Sequence, residues 1–171
     1  IKNNSTENNG QGINPDYFSN NNVIYHNNFI ENGGGQALVD YTSTGNCWDN
    51  GYPSGGNYWS DYSGTDAYNG PGQNVAGSDG IGDTSYTIDS NNIDNYPLIS
   101  QWVPPKTVHN IDTGLNYYTI QEAIDAPETL DGHTILVEAG TYYENVVVSK
   151  SITLSGESRD TTIIDGGNNG N

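Results

Sequence analysis

The chain of 171 residues is strongly acidic, with a formal net charge of −17 at pH 7 and only four lysines and arginines. Binding to a phosphate backbone needs clustered cations, so this charge argues against nucleic-acid partners, and it also disfavours anionic membranes and polyuronates. No apolar run approaches the length of a membrane span, and the single cysteine, Cys47, allows no internal disulfide.

The composition indicates a thin, repeated core. Only 32% of the residues are hydrophobic, while asparagine and glycine are abundant. Low hydropathy with high net charge is typical of disorder, but 13 tyrosines, three tryptophans and regular β-branched runs argue against it. The acidity suits either a calcium-rich or saline exterior or a plain solvating surface.

Residues 1–44 contain an internal repeat. IKNNSTENNG from Ile1 resembles IYHNNFIENG from Ile24, at a spacing of about 23 residues, the length of one coil of a right-handed parallel β-helix. We therefore predict that residues 1–44 are the final coils of such a helix. Recurring asparagines predict a ladder of side-chain amides along the stack, with a sugar-binding ridge as the alternative. The asparagines concerned are Asn20, Asn21, Asn22, Asn27 and Asn28.

Residues 45–99 are predicted to be a long, irregular, Gly-, Asn- and Asp-rich closing segment. Gly, Pro, Asn and Ser turns follow one another there without a helical or strand period. Aromatic residues in this segment are expected to cover the open end of the preceding β-helix, which would otherwise expose strand edges. A stacking platform for sugar rings is the alternative. These aromatics are Trp48, Tyr52, Tyr58, Trp59, Tyr62 and Tyr68.

The same segment carries the candidate metal ligands. Asp79-Gly-Ile-Gly-Asp83 places two carboxylates around a tight turn, and Asp89 and Asp94 follow. Calcium takes about six to eight oxygen ligands, so these four aspartates predict a calcium site, with plain Asp/Gly turns as the alternative. The pattern lacks the bidentate glutamate of a complete calcium loop. The three histidines are scattered and have no metal-ligand spacing.

The C-terminal part predicts a second β-helix. Residues 100–106 (SQWVPPK) indicate a stiff Pro-rich linker, with Trp102 packing on a neighbour. In residues 107–171, Thr119 and Glu122 form a capping box that opens a short helix near 119–126. Strands are predicted around 135–137, 146–148, 152–154 and 163–164, recurring at about 17 residues. We predict a helical lid followed by the first coils of a second solenoid. The apolar face of the helix is Ile120, Ala123 and Ile124.

These motifs resemble two groups of β-helix proteins. TIQEAID, DGHTILVEAGTYYENVVVSKSITLSGE and TTIIDGG, in residues 107–165, resemble the opening of NosD-like, CASH-type β-helix proteins. NNVIYHNNFIEN, CWDNGYPSGGNYWSDY, GSDGIGDTSYTID and NNIDNYPLI, in residues 20–99, resemble the closing segment of large archaeal cell-surface β-helix proteins. The resemblance implies an all-β, right-handed parallel β-helix that is secreted and placed on the cell surface. Relatives often read D-x-D-G-D-G-I-G-D, whereas Val75 and Gly77 replace two of those acids here, which weakens the calcium prediction.

The order of the segments predicts a structural role. A half that ends one solenoid and a half that begins another are complementary, so one copy is expected to stack on the next. We predict an extracellular protein that self-associates head to tail into a filament, sheath or layer such as an S-layer. Alternatively, the chain is one period of a longer covalent array. The self-association residues are expected to be Ile1, Ile24, Val146, Val148, Ile163 and Ile164.

Enzymatic activity is not expected. Polysaccharide lyases with this fold need calcium together with an arginine or lysine, and a hydrolase needs paired carboxylates across a groove. Four scattered cations do not meet the first requirement. Non-catalytic binding of cell-surface glycans by tyrosine and tryptophan is the alternative function. Two overlapping N-glycosylation acceptors also occur, at Asn3 (NNS) and Asn4 (NST).

Overall fold

The computed structural model describes residues 1–167 and divides the chain into two compact units. Unit 1 is Ile1–Val103, and unit 2 begins at Pro104. The fold is mostly β with one short helix and forms a β-solenoid, which confirms the predicted fold class. Within the described residues, no helix has the length and apolar character needed to cross a bilayer.

Unit 1 is built on three parallel strands, one from each successive coil. Ser5 lies beside Asn28, which in turn lies beside Tyr58. The Asn4 backbone donates to the Asn27 side chain 23 residues later, which confirms the predicted repeat. The next coil is longer, because a turn-rich loop precedes β3. The strands, in sheet order, are β1 (Ser5–Glu7), β2 (Asn28–Ile30) and β3 (Tyr58–Trp59).

A ladder of side-chain amides runs through unit 1, as predicted. Of the five asparagines named for it, Asn27 and Asn22 make amide–amide bonds, whereas Asn28 binds the Trp102 backbone and Asn20 accepts from the Thr44 N–H. Nδ2 of Asn4 donates to Oδ1 of Asn27 over 3.0 Å, and Nδ2 of Asn27 donates to Oδ1 of Asn57 over 2.9 Å. The backbone N–H groups of Asn4 and Asn27 donate to the same two oxygens. Asn27 and Asn57 are buried, so the ladder satisfies amides whose burial would otherwise be costly. A second rung joins Nδ2 of Asn22 to Oδ1 of Asn46 over 3.0 Å.

The core of unit 1 is aromatic. Phe29 stacks on Trp59 with ring centroids 4.5 Å apart, and Trp59 stacks on Tyr86 at 4.3 Å. Trp48 lies 5.9 Å from Trp59 at a tilt. Each such pair contributes about 0.5–1.5 kcal/mol beyond the burial of its surface. Together with the buried Ile24, these rings fill the interior of the coils.

The closing segment, residues 45–99, contains two short antiparallel hairpins that the sequence did not predict. Trp48 donates through Nε1 to Oδ1 of Asn92 over 3.0 Å, and Tyr86 lies on Trp59. Residues of the two hairpins thus contact the aromatic core, while Trp48 and Trp59, predicted to cover it, are themselves buried members of that core. The segment also contains β3, which continues the stacked coils beyond residue 44. The hairpin strands are β4 (Tyr68–Asn69) with β5 (Val75–Ala76), and β6 (Tyr86–Asp89) with β7 (Asn92–Asp94).

Trp102 packs within unit 1, as predicted. Its indole stacks on the ring of His26, with centroids 3.5 Å apart and planes 11° from parallel. Its backbone N–H donates to Oδ1 of Asn28 over 2.7 Å, and its carbonyl accepts from Nδ2 of the same amide over 3.0 Å. This end of the unit is thus held by stacking and by two hydrogen bonds.

Unit 2 combines two sheets with the single helix. One sheet has the order β12-β10-β8-β9, in which β12 runs parallel to β10, and β8 and β9 are antiparallel to their neighbours. The other pairs β11 with β13 in parallel. The elements are β8 (Val108–Asn110), β9 (Leu115–Tyr117), α1 (Ile120–Asp125), β10 (Thr134–Val137), β11 (Gly140–Tyr142), β12 (Thr153–Gly156) and β13 (Thr162–Ile164).

The helix α1 begins and packs as predicted. Oγ1 of Thr119 accepts from the Glu122 N–H over 3.0 Å, and the Glu122 carboxylate accepts from the Tyr118 N–H over 2.9 Å. The apolar face, Ile120, Ala123 and Ile124, is fully buried. It joins an aliphatic core that includes the buried residues Val108, Ile135 and Val137.

The predicted strand at residues 146–148 and the 17-residue interval are wrong. Ile135 pairs with Leu154, two positions beyond Ile152, and Ile163 pairs with Thr141. The backbone of Val147 is engaged elsewhere, because its N–H donates to Oε1 of Gln121 over 2.7 Å and its carbonyl accepts from Nε2 over 3.2 Å. A helix side chain thus takes the place of a neighbouring strand.

Candidate functional site

The N-terminal side of unit 1 presents an open coil edge. Within the described residues β1 pairs only with β2, and Ile1 is 59% exposed. A cleft of about 280 Å³ opens at this edge, lined by residues that include Ile1, Thr6, Ile13 and Phe29. Oγ1 of Thr6 is buried there without a hydrogen-bond partner in the described part of the chain. We name this surface the unit 1 edge.

Unit 2 presents a second open edge. Among the described residues, β12 pairs only with β10, and β13 only with β11. Ile163 and Ile164 on β13 are 49% and 45% exposed, and Val148 is 53% exposed. A cleft of about 430 Å³ lies beside Ile164, which lines it together with Leu154 and other residues of β12 and β13. We name this surface the unit 2 edge.

Two of the predicted self-association residues have other positions. Ile24 is 0% exposed and lies in the aromatic core, because the coil of Ile1 covers it on one side and that of Cys47 on the other. It therefore offers no contact area to a second copy, which corrects its assignment. Val146 is half-buried and packs against the aliphatic core of unit 2.

The acidic candidates for calcium bind separate parts of the backbone. Asp79 accepts from the Ile81 N–H over 3.1 Å and from Nε2 of Gln73 over 3.2 Å. Asp89 accepts from the Asn91 N–H over 2.7 Å, within the turn between β6 and β7. In residues 1–167 no group of three or more acidic, histidine or cysteine side chains is close enough to hold a metal ion. Calcium binding stays a prediction.

Asp83 closes a loop of the closing segment. Its carboxylate accepts from the Ala67 N–H over 2.9 Å, the Tyr68 N–H over 3.0 Å and Oγ1 of Thr65 over 3.0 Å. The bond from Ala67, together with those from Tyr68 and Thr65, lowers the pKa of this exposed carboxyl. The geometry is that of a structural Asp turn with its oxygens already engaged.

Asp94 is the end of the asparagine ladder rather than a surface ligand. It is fully buried, and its Oδ2 accepts from the Asn57 N–H over 2.7 Å and from Nε1 of Trp59 over 2.9 Å. Nδ2 of Asn57 also points at Oδ2, over 3.3 Å. The carboxylate thus occupies the acceptor position that an asparagine holds in the earlier coils. A Cβ at Gly56 would overlap this carboxylate, so the ladder requires glycine there.

Burial raises the pKa of the Asp94 carboxyl to about 7. The hydrogen bonds from Asn57, Trp59 and Tyr96 act in the opposite direction, and the charge of Asp49 adds to the increase. The sequence did not reveal this role, because Asp94 lies in a hairpin and matches no position of the repeat. No sequence signal at this position would have found it.

The aromatic candidates divide into core and surface. Trp48 and Trp59 are 0% and 1% exposed, so neither ring has a face free for a sugar. Tyr52 and Tyr68 are exposed, and Tyr52 lies 6.4 Å from the ring of Tyr96. Any sugar stacking in this segment would therefore fall to the tyrosines.

Comparison with known proteins links the chain to the archaeal cell surface. A cell surface glycoprotein of Methanothermus fervidus is 51% identical over 47 residues, which are 28% of this chain and 8% of that protein. The chain thus covers a small fraction of this relative's length. No family model and no solved structure matches the chain. The chain is a β-solenoid with partial homology to an archaeal cell surface glycoprotein, and this homology suggests a cell-surface location.

Proposed function

We propose that the chain is a non-catalytic structural component of the extracellular surface that self-associates head to tail through its open coil edges. The observation that carries the proposal is the pair of edges. Each ends in a strand with one partner among the described residues and each exposes isoleucine. Strand addition to such edges supplies main-chain hydrogen bonds and buries apolar surface. The partial homology to a cell surface glycoprotein supports the location.

The unit 1 edge and the unit 2 edge differ, so their contact is heterologous. A contact of that kind repeats along an open fibre, sheath or layer unless its rotation closes a ring. Ile1 on one copy and Ile163 and Ile164 on the next would supply the apolar contact area. No cofactor or chemical step is needed for this role, and calcium at Asp79 and Asp83 would at most stiffen the closing segment.

The test is negative-stain electron microscopy and sedimentation of the full chain with two matched variants. Ile163→Lys places a charge on the unit 2 edge. Ile111→Lys places the same charge on the turn between β8 and β9, at a residue that is 58% exposed against 49% for Ile163. We expect regular assemblies from the wild type and Ile111→Lys, and isolated particles from Ile163→Lys. Assemblies that persist in Ile163→Lys would contradict the proposal.

A chelator arm tests calcium in the same experiment. If assemblies persist after calcium is removed, the two edges are sufficient for self-association. Assemblies that dissolve on chelation make the aspartates of the closing segment part of the function.

A second candidate function is non-catalytic glycan binding. It is favoured by one cleft of about 350 Å³ in the closing segment, whose lining includes Gln73, Asp83 and Tyr96, with the exposed Tyr52 beside Tyr96. Tyr52→Ala should then abolish binding on a glycan array, while Tyr41→Ala, at an exposed tyrosine outside this segment, should not.

A further inference from the structure

The two overlapping N-glycosylation acceptors are structurally different. Asn3 and Asn4 are adjacent and both are exposed, just before β1. Attachment of a glycan replaces one hydrogen of the side-chain Nδ2 with a sugar carbon. An acceptor in the folded protein must therefore have an amide nitrogen that is free to carry the sugar.

The amide of Asn4 is already committed to the ladder. Its Nδ2 donates to the Lys2 carbonyl over 2.8 Å and to Oδ1 of Asn27 over 3.0 Å, so both of its hydrogens are in use. A sugar on this nitrogen would remove one of these bonds and place a bulky group against the first rung.

The amide of Asn3 is free of such contacts. Its backbone is held, because its N–H donates to the His26 carbonyl over 2.9 Å. Its side chain makes no hydrogen bond to any residue that the structure describes. Its φ of 60° is a left-handed conformation that asparagine adopts more readily than most residues.

The hydroxyl residues that complete the two acceptor triplets also differ in their exposure. The triplet of Asn3 ends at Ser5, which is exposed. The triplet of Asn4 ends at Thr6, whose Oγ1 is buried. The alternation of β1 thus turns one hydroxyl outward and the other inward.

We propose that Asn3 is an N-glycosylation site of this chain and that Asn4 is not. In the transfer, Asn3 Nδ2 forms a bond to the anomeric carbon of a lipid-linked oligosaccharide phosphate. The bond from that carbon to the phosphate oxygen breaks, the lipid phosphate leaves, and the amide proton passes to a base of the transferase. This inference rests on the extracellular location proposed above but not on self-association.

Two single substitutions separate the acceptors. Ser5→Ala removes the triplet of Asn3 and leaves that of Asn4 as Asn-Ala-Thr. Thr6→Val removes the triplet of Asn4, leaves that of Asn3, and keeps the shape of a buried side chain whose hydroxyl has no partner among residues 1–167. The full chain and both variants are secreted from an N-glycosylating host. Glycan-bearing peptides are then mapped by mass spectrometry after enzymatic release in heavy-oxygen water, which marks each modified asparagine.

We expect a glycan at residue 3 in the wild type and in Thr6→Val, and complete loss in Ser5→Ala. A glycan at residue 4 in the wild type, a glycan that persists in Ser5→Ala, or an unmodified wild-type chain would each overturn the inference. If Ser5→Ala is not secreted, Asn3→Asp replaces it, because aspartate also tolerates the left-handed conformation. Microscopy of unglycosylated chain from a bacterial host tests self-association separately, so the two proposals can fail independently.

Discussion

Unit 1 and unit 2 hold together by different means. The interior of unit 1 combines stacked aromatic rings with a ladder of buried amides that ends at a buried carboxyl. The interior of unit 2 is aliphatic, with a helix packed on its sheet. Hydrogen-bonded interiors fail when one partner is removed, whereas aliphatic interiors fail in proportion to the volume lost. The two units should therefore respond differently to substitution and to pH.

The amino-acid sequence supplies a probe for this difference. All three tryptophans, Trp48, Trp59 and Trp102, belong to unit 1. Tryptophan fluorescence therefore reports the unfolding of unit 1, while amide hydrogen exchange of β10 reports that of unit 2.

The largest effect is expected from Asn57→Ala. The Asn57 amide donates to the carbonyls of Ile24 and Trp48 over 2.9 and 2.7 Å and accepts from Asn27. Its removal leaves several buried groups unpaired, so the free energy of unfolding of unit 1 should fall by about 4 kcal/mol. Denaturant titration followed by tryptophan fluorescence measures it. Asn50→Ala, at an exposed asparagine, is the control and should cost less than about 1 kcal/mol.

The second largest effect is expected from a core substitution in unit 2. Ile135→Ala removes a fully buried side chain from the aliphatic core, and the cavity should lower the stability of unit 2 by about 3 kcal/mol. Hydrogen exchange of β10 should accelerate, while the tryptophan transition of unit 1 stays in place. If the tryptophan transition shifts equally, the two units unfold together and the comparison fails. Ile111→Ala is the exposed control.

The third prediction concerns pH and unit 1. Burial raises the pKa of Asp94 to about 7, against about 3.9 in an unfolded chain. Between these values the folded state binds a proton that the unfolded state has lost, so the stability of unit 1 should decrease as pH rises from about 4 to 7.

The variant Asp94→Asn should flatten this dependence in tryptophan-detected unfolding curves. Asp89→Asn, on the same hairpin but outside the ladder, should retain the slope. If the stability of unit 1 depends on pH as steeply in Asp94→Asn as in the wild type, Asp94 is not the cause of that dependence.

The smallest effect is expected at His109 in unit 2. Nδ1 and Nε2 lie 2.7 Å from the Asn116 and Glu138 side-chain oxygens. These bonds, led by that from Asn116, raise the pKa of the imidazole. Stability from this group is therefore present below about pH 6.5 and is lost as pH rises through the folded-state pKa. Because both partners of the ion pair are partly exposed, Glu138→Gln should change the stability of unit 2 by only about 0.5 kcal/mol. Hydrogen exchange between pH 6 and 8 checks this, and an unchanged pH dependence would contradict it.

The sequence predicted the stacked coils at the start of unit 1 because they repeat. Asn27 follows Asn4 by 23 residues, and a repeat that stacks like on like brings their amides together without any further information. In unit 2 the coils differ in length, so the spacing between apolar runs did not give the register. Val147 pairs with a helix side chain, a contact that no local pattern encodes.

The site was predicted less well than the fold. Ile24 occupies the same repeat position as Ile1, but it lies one coil deeper and is buried. The repeat shows that two residues are equivalent, but it does not show which of them lies on the outermost coil and which is buried between coils. The sequence pattern places Asp94 with Asp79, Asp83 and Asp89 because all four are aspartates near tight turns, while the burial of Asp94 depends on packing between distant segments.

The ladder of unit 1 has a direction. Asn4 and Asn27 each donate through Nδ2 to Oδ1 of the next asparagine along the stack, and the Asn57 backbone N–H donates to Asp94. Once ionised, Asp94 has no hydrogen to donate to a further residue. The ladder therefore ends where an aspartate, Asp94, stands in place of an asparagine. At the other end, Oδ1 of Asn4 accepts no hydrogen bond from any described residue, so a coil stacked on this side would extend the ladder by supplying the donor.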